Sequence, residues 1–562
     1  MSKTPTTYIE RAARAISVIL SFGALPPLAT AGEPAPDAAL GERLYFEGRK
    51  VDGSPLLAKT QSDVPLPGSR AACVTCHRPS GFGTSEGGYF VPPINGATLF
   101  SERKLDRGRF LLNRFEQAQP QRYRARLSQP HMRPAYDFDT LGRALRNGVD
   151  AAGQELDPIM PRYELSHADV ANLQAFLKNL SAKIDPGVTD EELHFATVVS
   201  KDAAPQDRAA MLSVIEAYFN WANKNSGGER SREGFSPYHQ SELISATRKW
   251  RLHVWELDGA PESWPEQLEQ KYRAQPVFAL VSGLAPVWGP IAEFSDSQKI
   301  PALFPNTELP GNRKGSRTFY FTHGLELEAK GLVTFFSRRT GEKKRIRQIV
   351  GEGPLAVEPA KVFEQGARAA GVDVETIAAA DNIAGGRRPA SNGATDAVVL
   401  WPGQMDDEKI ASLLSVSPAA TPLYLPSHKL DFARSKWAQP FADRLFFVDP
   451  YEVDVGSHPL SFRVRAWINT RGVQITNQTL QFQTYYALSL LDAAVGRLKT
   501  DFFRDYLVEN IEHEAEGDLN PGIFPRLSLG PGQRVASHGV FVVRTSPDGN
   551  DAVAPVGDWM IP

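Results

Sequence analysis

Residues 70–88 read RAACVTCHRPSGFGTSEGG, and they hold the only two cysteines of the 562-residue chain. Cys73 and Cys76 stand three apart, with His77 directly behind them. C-x-x-C-H is the spacing of a covalent c-type haem attachment. Each thiol adds across one vinyl group, and the tether sets the next residue under the iron, where an imidazole serves as proximal ligand. Cys73 and Cys76 are therefore the expected attachment residues for one haem c, and His77 its expected axial ligand. Three other readings compete. A redox dithiol follows a βαβ pattern, whereas this pair follows the Pro/Gly-rich DVPLPGSR. A zinc half-site needs two further ligands, and no second cysteine pair exists. A single disulfide is the third, and a chain of this length does not need one to hold its core.

Toward the N-terminus, Lys3, Arg11 and Arg14 precede an apolar run from Ala15 to Ala29 that closes on Ala29-Thr30-Ala31. This is the three-part pattern of a secretory signal, so residues 1–31 are set aside and cleavage is expected before Gly32. The competing reading is an uncleaved anchor, but the run is short for a span and Pro26-Pro27 breaks it. No later segment has a long apolar run free of charges, so the mature chain is expected to be periplasmic, with no transmembrane segment. A net charge of -3 gives no reason to invoke nucleic acid or an anionic membrane as partner. Hydrophobic content of 42% and charged content of 23% are those of a globular protein, and the length implies more than one domain.

A six-coordinate electron-transfer haem needs a second axial ligand, Met or His. Met160 sits in the Pro-bounded DPIMPRY, just ahead of a helix that Ser166 can cap with Asp169 three residues on. Val170, Leu173, Leu177 and Leu180 then repeat at helical spacing. A loop pinned at both ends can present a thioether to iron, which makes Met160 the expected distal ligand. Met132, His131 and His167 are rivals without that combination, and gap-filling in the core is the alternative role for Met160.

With these residues in view, ALGERLYFEG (39–48), CVTCH (73–77) and MPRYELSHADVANLQAFLKNL (160–180) resemble the class I c-type cytochromes. The resemblance implies an all-α domain, here over 32–183, in which N- and C-terminal helices cross and the intervening loop supplies the methionine. It assigns Cys73 and Cys76 to the haem, His77 and Met160 to the iron, and Gly41 and Tyr45 to helix–helix contact. This chain departs from the pattern in two insertions, 49–72 and the long stretch between His77 and Met160. The second contains GFGTSEGGYFVPPINGATLF and the arginine-rich RKLDRGRFLLNRFEQAQPQRYRARL. Those insertions are candidates for covering the haem edge or docking a partner, and the arginines read as a solvated helix face or as partners for propionates.

Beyond a polar linker at 184–192, strands and helices alternate. LHFATVVS, RLHVWEL, PVFALVSGL and IPALFP read as strands of a first run, with PQDRAAMLSVIEAYFNWANKN as a helix burying Met211, Ile215, Tyr218 and Ala222. RIRQIVGEG, VDVETI, DAVVLWPG, TPLYLPS and RLFFVDP read as strands of a second. Strands separated by helices imply parallel sheets with right-handed crossovers, hence two doubly wound lobes divided near Phe321–Gly324, with two long C-terminal helices packed on them. ALVSGLAPVWGPIAEFSDSQKIPALFP, DAVVLWPG and FPRLSLGPGQRVASHGVFVV resemble the type I periplasmic-binding-protein fold, in particular its branched-chain amino-acid receptor branch, over 193–562. That resemblance implies a small solute bound between the lobes. Open α/β sheets bind beyond the carboxyl ends of their strands, here Ser282-Gly283, Thr322, Gly351–Gly353 and Trp401–Gly403. Ser282 falls where the family offers a hydroxyl and backbone N–H groups to a carboxylate, so Ser282 and Gly283 are candidate ligand-binding residues; a plain tight turn is the competing reading.

The expected function is that of a non-enzymatic single-electron carrier, served by a redox partner protein in the periplasm and tethered to a solute-binding or docking domain. The alternative is a haem-containing receptor for an amino-acid-like solute. A redox enzyme is the third reading, and neither G-x-S-x-G, H-E-x-x-H nor a second haem site is present.

Overall fold

The computed structural model describes residues 35–60, 64–86, 89–102, 133–230, 248–311, 316–338, 344–384, 395–453, 455, 458–515, 520–545 and 553–562. The secretory pattern of residues 1–31, the rival ligands His131 and Met132, and the whole arginine-rich stretch lie outside the described residues.

The N-terminal domain is built on helices α1 (Ala38–Glu47), α2 (Val74–His77), α3 (Phe138–Asn147) and α4 (His167–Asn179). Helix α4 starts where a capping box fixes it: the Ser166 hydroxyl accepts the Asp169 N–H, and the Asp169 carboxylate accepts the Ser166 N–H. Its Val170, Leu173 and Leu177 are buried, as their spacing requires. Helix α1 crosses α4 at Gly41, where a Cβ would stand 2.1 Å from the Asn172 carbonyl oxygen. Tyr45 completes the crossing against Phe176, ring centroids 5.2 Å apart. The insertions add short antiparallel strands to this helical domain. Leu57–Lys59 pairs with Pro65–Pro67 and with Arg162–Tyr163, and Thr84–Glu86 pairs with Tyr89–Val91.

The first α/β lobe has strands β1 (Glu192–Ser200), β2 (Lys249–Leu257), β3 (Ala279–Val281), β4 (Ala302–Leu303) and β5 (Thr318–Phe319), all parallel in the order β5-β4-β3-β1-β2. The second has β6 (Arg345–Val350), β7 (Asp373–Ala378), β8 (Ala397–Trp401), β9 (Leu423–Pro426) and β10 (Leu445–Asp449), parallel in the order β7-β6-β8-β9-β10. Both are doubly wound sheets whose order reverses beside the first strand. The strands of β8 are buried on both faces, AVVLW, which is why they read as an unbroken apolar run.

Two features depart from the sequence expectation. The second sheet is mixed, because β11 (Phe541–Thr545) and β12 (Val553–Pro555) join its β10 edge antiparallel. An antiparallel strand needs no crossover helix, so the alternation of strands and helices gave no sign of them. The C-terminal helices α5 (Gln478–Leu498) and α6 (Arg504–Glu514) also belong to the core of the first lobe alone. The chain thus crosses between lobes three times: after Tyr320, after Asp449 and ahead of Val540. At the last crossing the Ala536 and Ser537 N–H groups donate to the carbonyls of Tyr320 and Phe321.

Candidate functional site

Helix α2 is a single turn with Cys73 at its N-cap. The N–H groups of Cys76 and His77 both donate to the Cys73 carbonyl, at 3.2 and 2.9 Å, so two thiols and an imidazole share one turn. The thiols are unbonded to each other; Cys73 is buried in the domain core and Cys76 is exposed. Burial pushes the Cys73 thiol up to about 12, which keeps it protonated until it is consumed.

His77 is buried, and Nδ1 lies 3.0 Å from the Pro92 carbonyl oxygen. Burial holds its pKa down, to about 4, so the ring is neutral near pH 7. A neutral imidazole that donates through Nδ1 keeps its lone pair on Nε2, the tautomer a metal ligand needs. Pro92 reaches the ring through the Thr84–Glu86/Tyr89–Val91 hairpin, and Gly83 permits the approach. Gly83 has φ +75°, donates to the His77 carbonyl, and would place a Cβ 2.1 Å from the Val91 oxygen. Tyr45 adds a further restraint behind the motif, its hydroxyl donating to the Arg78 carbonyl at 2.6 Å. Two free thiols and one imidazole of fixed tautomer fit covalent haem.

Met160 is half-buried against the same cluster that contains Cys73. Its loop is pinned on both sides. The Asp157 carboxylate accepts the Ile159 N–H, the Asp157 carbonyl accepts the Met160 N–H, and the Arg162 guanidinium donates to the carbonyls of Met160 and Leu156. Arg162 fits because Gly148, at φ +70°, has no side chain; a Cβ there would stand 2.0 Å from the guanidinium. His167 is exposed, its ring against Phe138.

The loop that follows His77 is docked on the first lobe. Ser80, three residues past His77, donates its N–H and hydroxyl to the two carboxyl oxygens of Glu509 on α6, at 2.7 and 2.6 Å, in a buried contact. Phe82 stacks on Tyr506 at 4.4 Å and lies near Phe503. Arg504, 3% exposed, closes the seam: its guanidinium donates to the carbonyls of Pro186, Val277, Phe278 and Gln298 and to the Tyr272 hydroxyl. Its N–H donates to the Asp185 carboxylate. Pro92 and this seam were not foreseen from sequence. The VPP after the motif was a local cue for the first; nothing local marks a partner 429 residues away.

Between the lobes lies a cleft of about 770 Å³, lined from both, beyond the carboxyl ends of their strands. Leu284–Pro286 follow β3, Asn306 and Glu308 follow β4, and Tyr320–Thr322 follow β5; the second lobe contributes Ser427 and His428 after β9 and Asp449–Tyr451 at the end of β10. Thr322 lines the cleft as expected, and Gln404 does so in place of Trp401–Gly403. Ser282 and Gly283 form the turn behind the Leu284–Pro286 wall. Ser282 is buried at φ 51°, and its hydroxyl accepts the Asn306 amide N–H at 3.0 Å and meets the Thr484 hydroxyl at 3.4 Å. The Gly283 carbonyl accepts from the same amide, and a Cβ on Gly283 would stand 2.5 Å from the Trp288 ring.

Among the described residues no helix is long and apolar enough to cross a membrane, and no group of three His, Cys, Asp or Glu side chains is placed to hold a metal ion. Residues 69–181 match the family model of cytochrome c. No curated protein matches the chain. Similar solved structures include a fatty acid ABC transporter substrate-binding protein from Thermomonospora curvata, 13% identical over 68% of this chain and 95% of that one, TM-score 0.49. A branched chain amino acid ABC transporter from Thermus thermophilus with bound valine is 12% identical over 67% and 98%, TM-score 0.49. A possible leucine/isoleucine/valine-binding protein from Rhodopirellula baltica is 14% identical over 66% and 97%, TM-score 0.49. Residues 69–181 are thus similar to cytochrome c, and the described residues beyond them form two doubly wound α/β lobes.

Proposed function

We propose that the protein is a periplasmic monohaem cytochrome, a single-electron carrier whose haem domain is fixed to a solute-binding domain. The observation that carries this reading is the His77 ring, buried and held through Nδ1 by the Pro92 carbonyl, one turn from two free thiols. In it Cys73 and Cys76 hold one haem c covalently, His77 is its proximal ligand, and Met160, in its doubly pinned loop, is the distal one. The haem supplies one-electron redox chemistry; the chain fixes the imidazole tautomer and offers a thioether, which raises the potential. Two axial protein ligands leave the iron no open position, so electron transfer without enzymatic turnover is the expected behaviour. Residues 1–31 direct export, with the mature chain beginning at Gly32. In the binding domain, Ser282 and Gly283 hold Asn306 and the Leu284–Pro286 wall in position for a small solute.

The test is purification of the full chain made with the c-type maturation apparatus. Mass spectrometry is expected to give a mature chain from Gly32 carrying the mass of one haem, and potentiometry a reversible one-electron wave. An intact protein without added mass, or ordinary peroxidase turnover, would refute the reading. A second reading, a haem-bearing receptor, is favoured by α6, which carries both Glu509 at the haem loop and Arg504 at the strand leading to the cleft.

A further inference from the structure

Among the described residues that line the cleft, carboxyl groups outnumber cationic side chains. The carboxyl groups of Asp202, Asp207, Glu308, Glu328, Asp431 and Asp449 line it, against one guanidinium among the described residues, Arg434, that is paired to Asp431 at 2.6 Å. Glu328 is held by the Ser427 N–H and hydroxyl, at 2.9 and 2.6 Å, and Asp449 by the Tyr451 N–H at 3.0 Å. Glu308 has no hydrogen bond or ion pair to its carboxylate among the described residues. Asn306 has spent its amide N–H groups on Ser282 and Gly283, and its Oδ1 is buried without a partner. His428 lines the cleft with Nδ1 and Nε2 both buried and unpartnered; the Gly403 carbonyl is near the ring without reaching hydrogen-bond geometry. Buried acceptors left open cost stability unless something donates to them. Burial and the neighbouring Lys429 keep His428 neutral, so it too can accept a hydrogen bond.

From this inventory we infer that the interlobe cleft takes an organic ammonium cation, a solute that brings donors and positive charge and no carboxylate of its own. The inference rests on the solute-binding reading above. A carboxylate-bearing solute would meet six carboxyl groups and no free cation among the described lining residues, since the Lys429 ammonium donates to the Met405 carbonyl and faces Glu308. A bare metal ion does not fit, because no three ligating side chains among the described residues converge. The cleft volume is that of a polyatomic ligand, and Phe321 and Tyr451 provide aromatic lining for an ammonium.

Charge crowding gives the site a pH signature. Glu308 is faced by Lys429, which favours its ionised form, and it lies close enough to Glu328 and Tyr451 to raise both. Asp449 acts on the same two groups, and His428 stands uncharged beside Lys429. Burial lifts Glu308 and Asp449 to about 7 and Glu328 well above its ordinary range. An ammonium therefore displaces protons when it binds near neutral pH, and its affinity rises as pH rises through that region.

The experiment is titration calorimetry on the full-length haem-loaded protein with putrescine and choline as cations, leucine as a zwitterion, succinate as a dianion, and calcium and zinc as bare ions. Each is run at pH 6 and pH 8, in two buffers of different ionisation heat. The expected result is binding of an organic cation about tenfold or more tighter than leucine or succinate at pH 8, weaker at pH 6, with proton release. Glu308→Gln is expected to weaken that binding about tenfold and to reduce the proton release, its haem spectrum and melting temperature reporting an intact fold. The proton release of the parent protein tests the inference even if the variant does not fold. Preferred binding of leucine, succinate or a metal ion overturns the cation assignment and leaves a solute-binding domain standing. Failure of every probe to bind or to shift the melting temperature removes the solute reading and the inference with it.

Discussion

Replacing Glu509 with glutamine isolates the seam between the haem loop and the first lobe. The carboxyl group accepts two hydrogen bonds from Ser80, yet it is buried between domains, and burial raises its pKa from 4.5 to about 8. Ser80 bonding and the nearby Arg78 pull the other way without cancelling the burial. At about 1.4 kcal/mol per tenfold change in proton affinity, ionising the docked group costs on the order of 5 kcal/mol relative to the exposed one. The sign follows from proton counting. Between 4.5 and 8 the docked chain binds more protons than the undocked one, so stability falls as pH rises through that window and levels off above it. Glutamine has the shape of the neutral acid and does not titrate.

The expected result is a pair of proteins that melt nearly together at pH 5, diverge up to about pH 8 and run parallel above it, the glutamine variant being the more stable. Calorimetric melting temperatures in a pH series measure the divergence. Limited proteolysis of the segment around Ser181–Thr189 checks that undocking is the event concerned. The difference between the two proteins is the observable, since Glu308, Glu328 and Asp449 titrate in both. Parallel curves from pH 5 to pH 9 would refute the burial of Glu509 and with it the docked seam.

Three further outcomes follow from particular contacts. Arg504→Ala strips donors from four carbonyls, two of them in buried contacts, and is expected to cost about 3–5 kcal/mol in denaturant unfolding, with Arg504→Lys recovering only part. Met160→Ala is expected to abolish the weak methionine-to-ferric-iron absorption band and to lower the reduction potential; a persisting band would transfer the ligand role to Met132. Gly83→Ala forces φ +75° on a residue with a Cβ and drives that Cβ against the Val91 carbonyl. The Pro92 carbonyl should then release His77, making the imidazole a poorer electron donor and raising the potential in potentiometry with haem still attached.

Much of this architecture was legible because it is written in short-range pattern. Helix α4 is announced by Ser166 and Asp169 and by leucines at helical spacing, and the buried strands by runs such as AVVLW. Cys73, Cys76 and His77 share one turn because three-residue spacing permits nothing longer. What escaped was long-range. Glu509 on α6 reads as one more acidic residue on a polar helix, and only the tertiary fold brings it to Ser80. Ser282 illustrates the opposite difficulty. A Ser-Gly pair after a strand fits both a ligand-binding turn and a structural one, and the contacts of its hydroxyl, with Asn306 and Thr484, lie in residues far along the chain. The acidic character of the cleft was invisible for the same reason, since Asp202, Glu308, Glu328 and Asp449 are scattered across four separate parts of the chain.

A contiguous set of contacts runs from haem to cleft: Ser80 to Glu509, along α6 to Arg504, and on to the Val277 and Phe278 carbonyls at the head of β3, whose far end turns at Ser282 into the cleft wall. Contact alone does not transmit free energy; a path couples two sites only if some element on it has two arrangements that both sites bias. Here contacts of Ser80, Phe82 and Asp185 reach the first lobe. Lobe closure over a solute would move the second lobe about the three crossings, and the haem would ride with the first, its seam unchanged. Saturating the cleft should therefore leave the haem potential where it was. Coupling is reciprocal, so a tenfold preference of solute for one redox state would displace the one-electron potential by about 59 mV. Potentiometry with and without bound solute reads this directly. A displacement of that order would make the protein a redox-reporting receptor rather than a carrier with a binding domain fixed to it, and would require a second arrangement of the seam at Glu509.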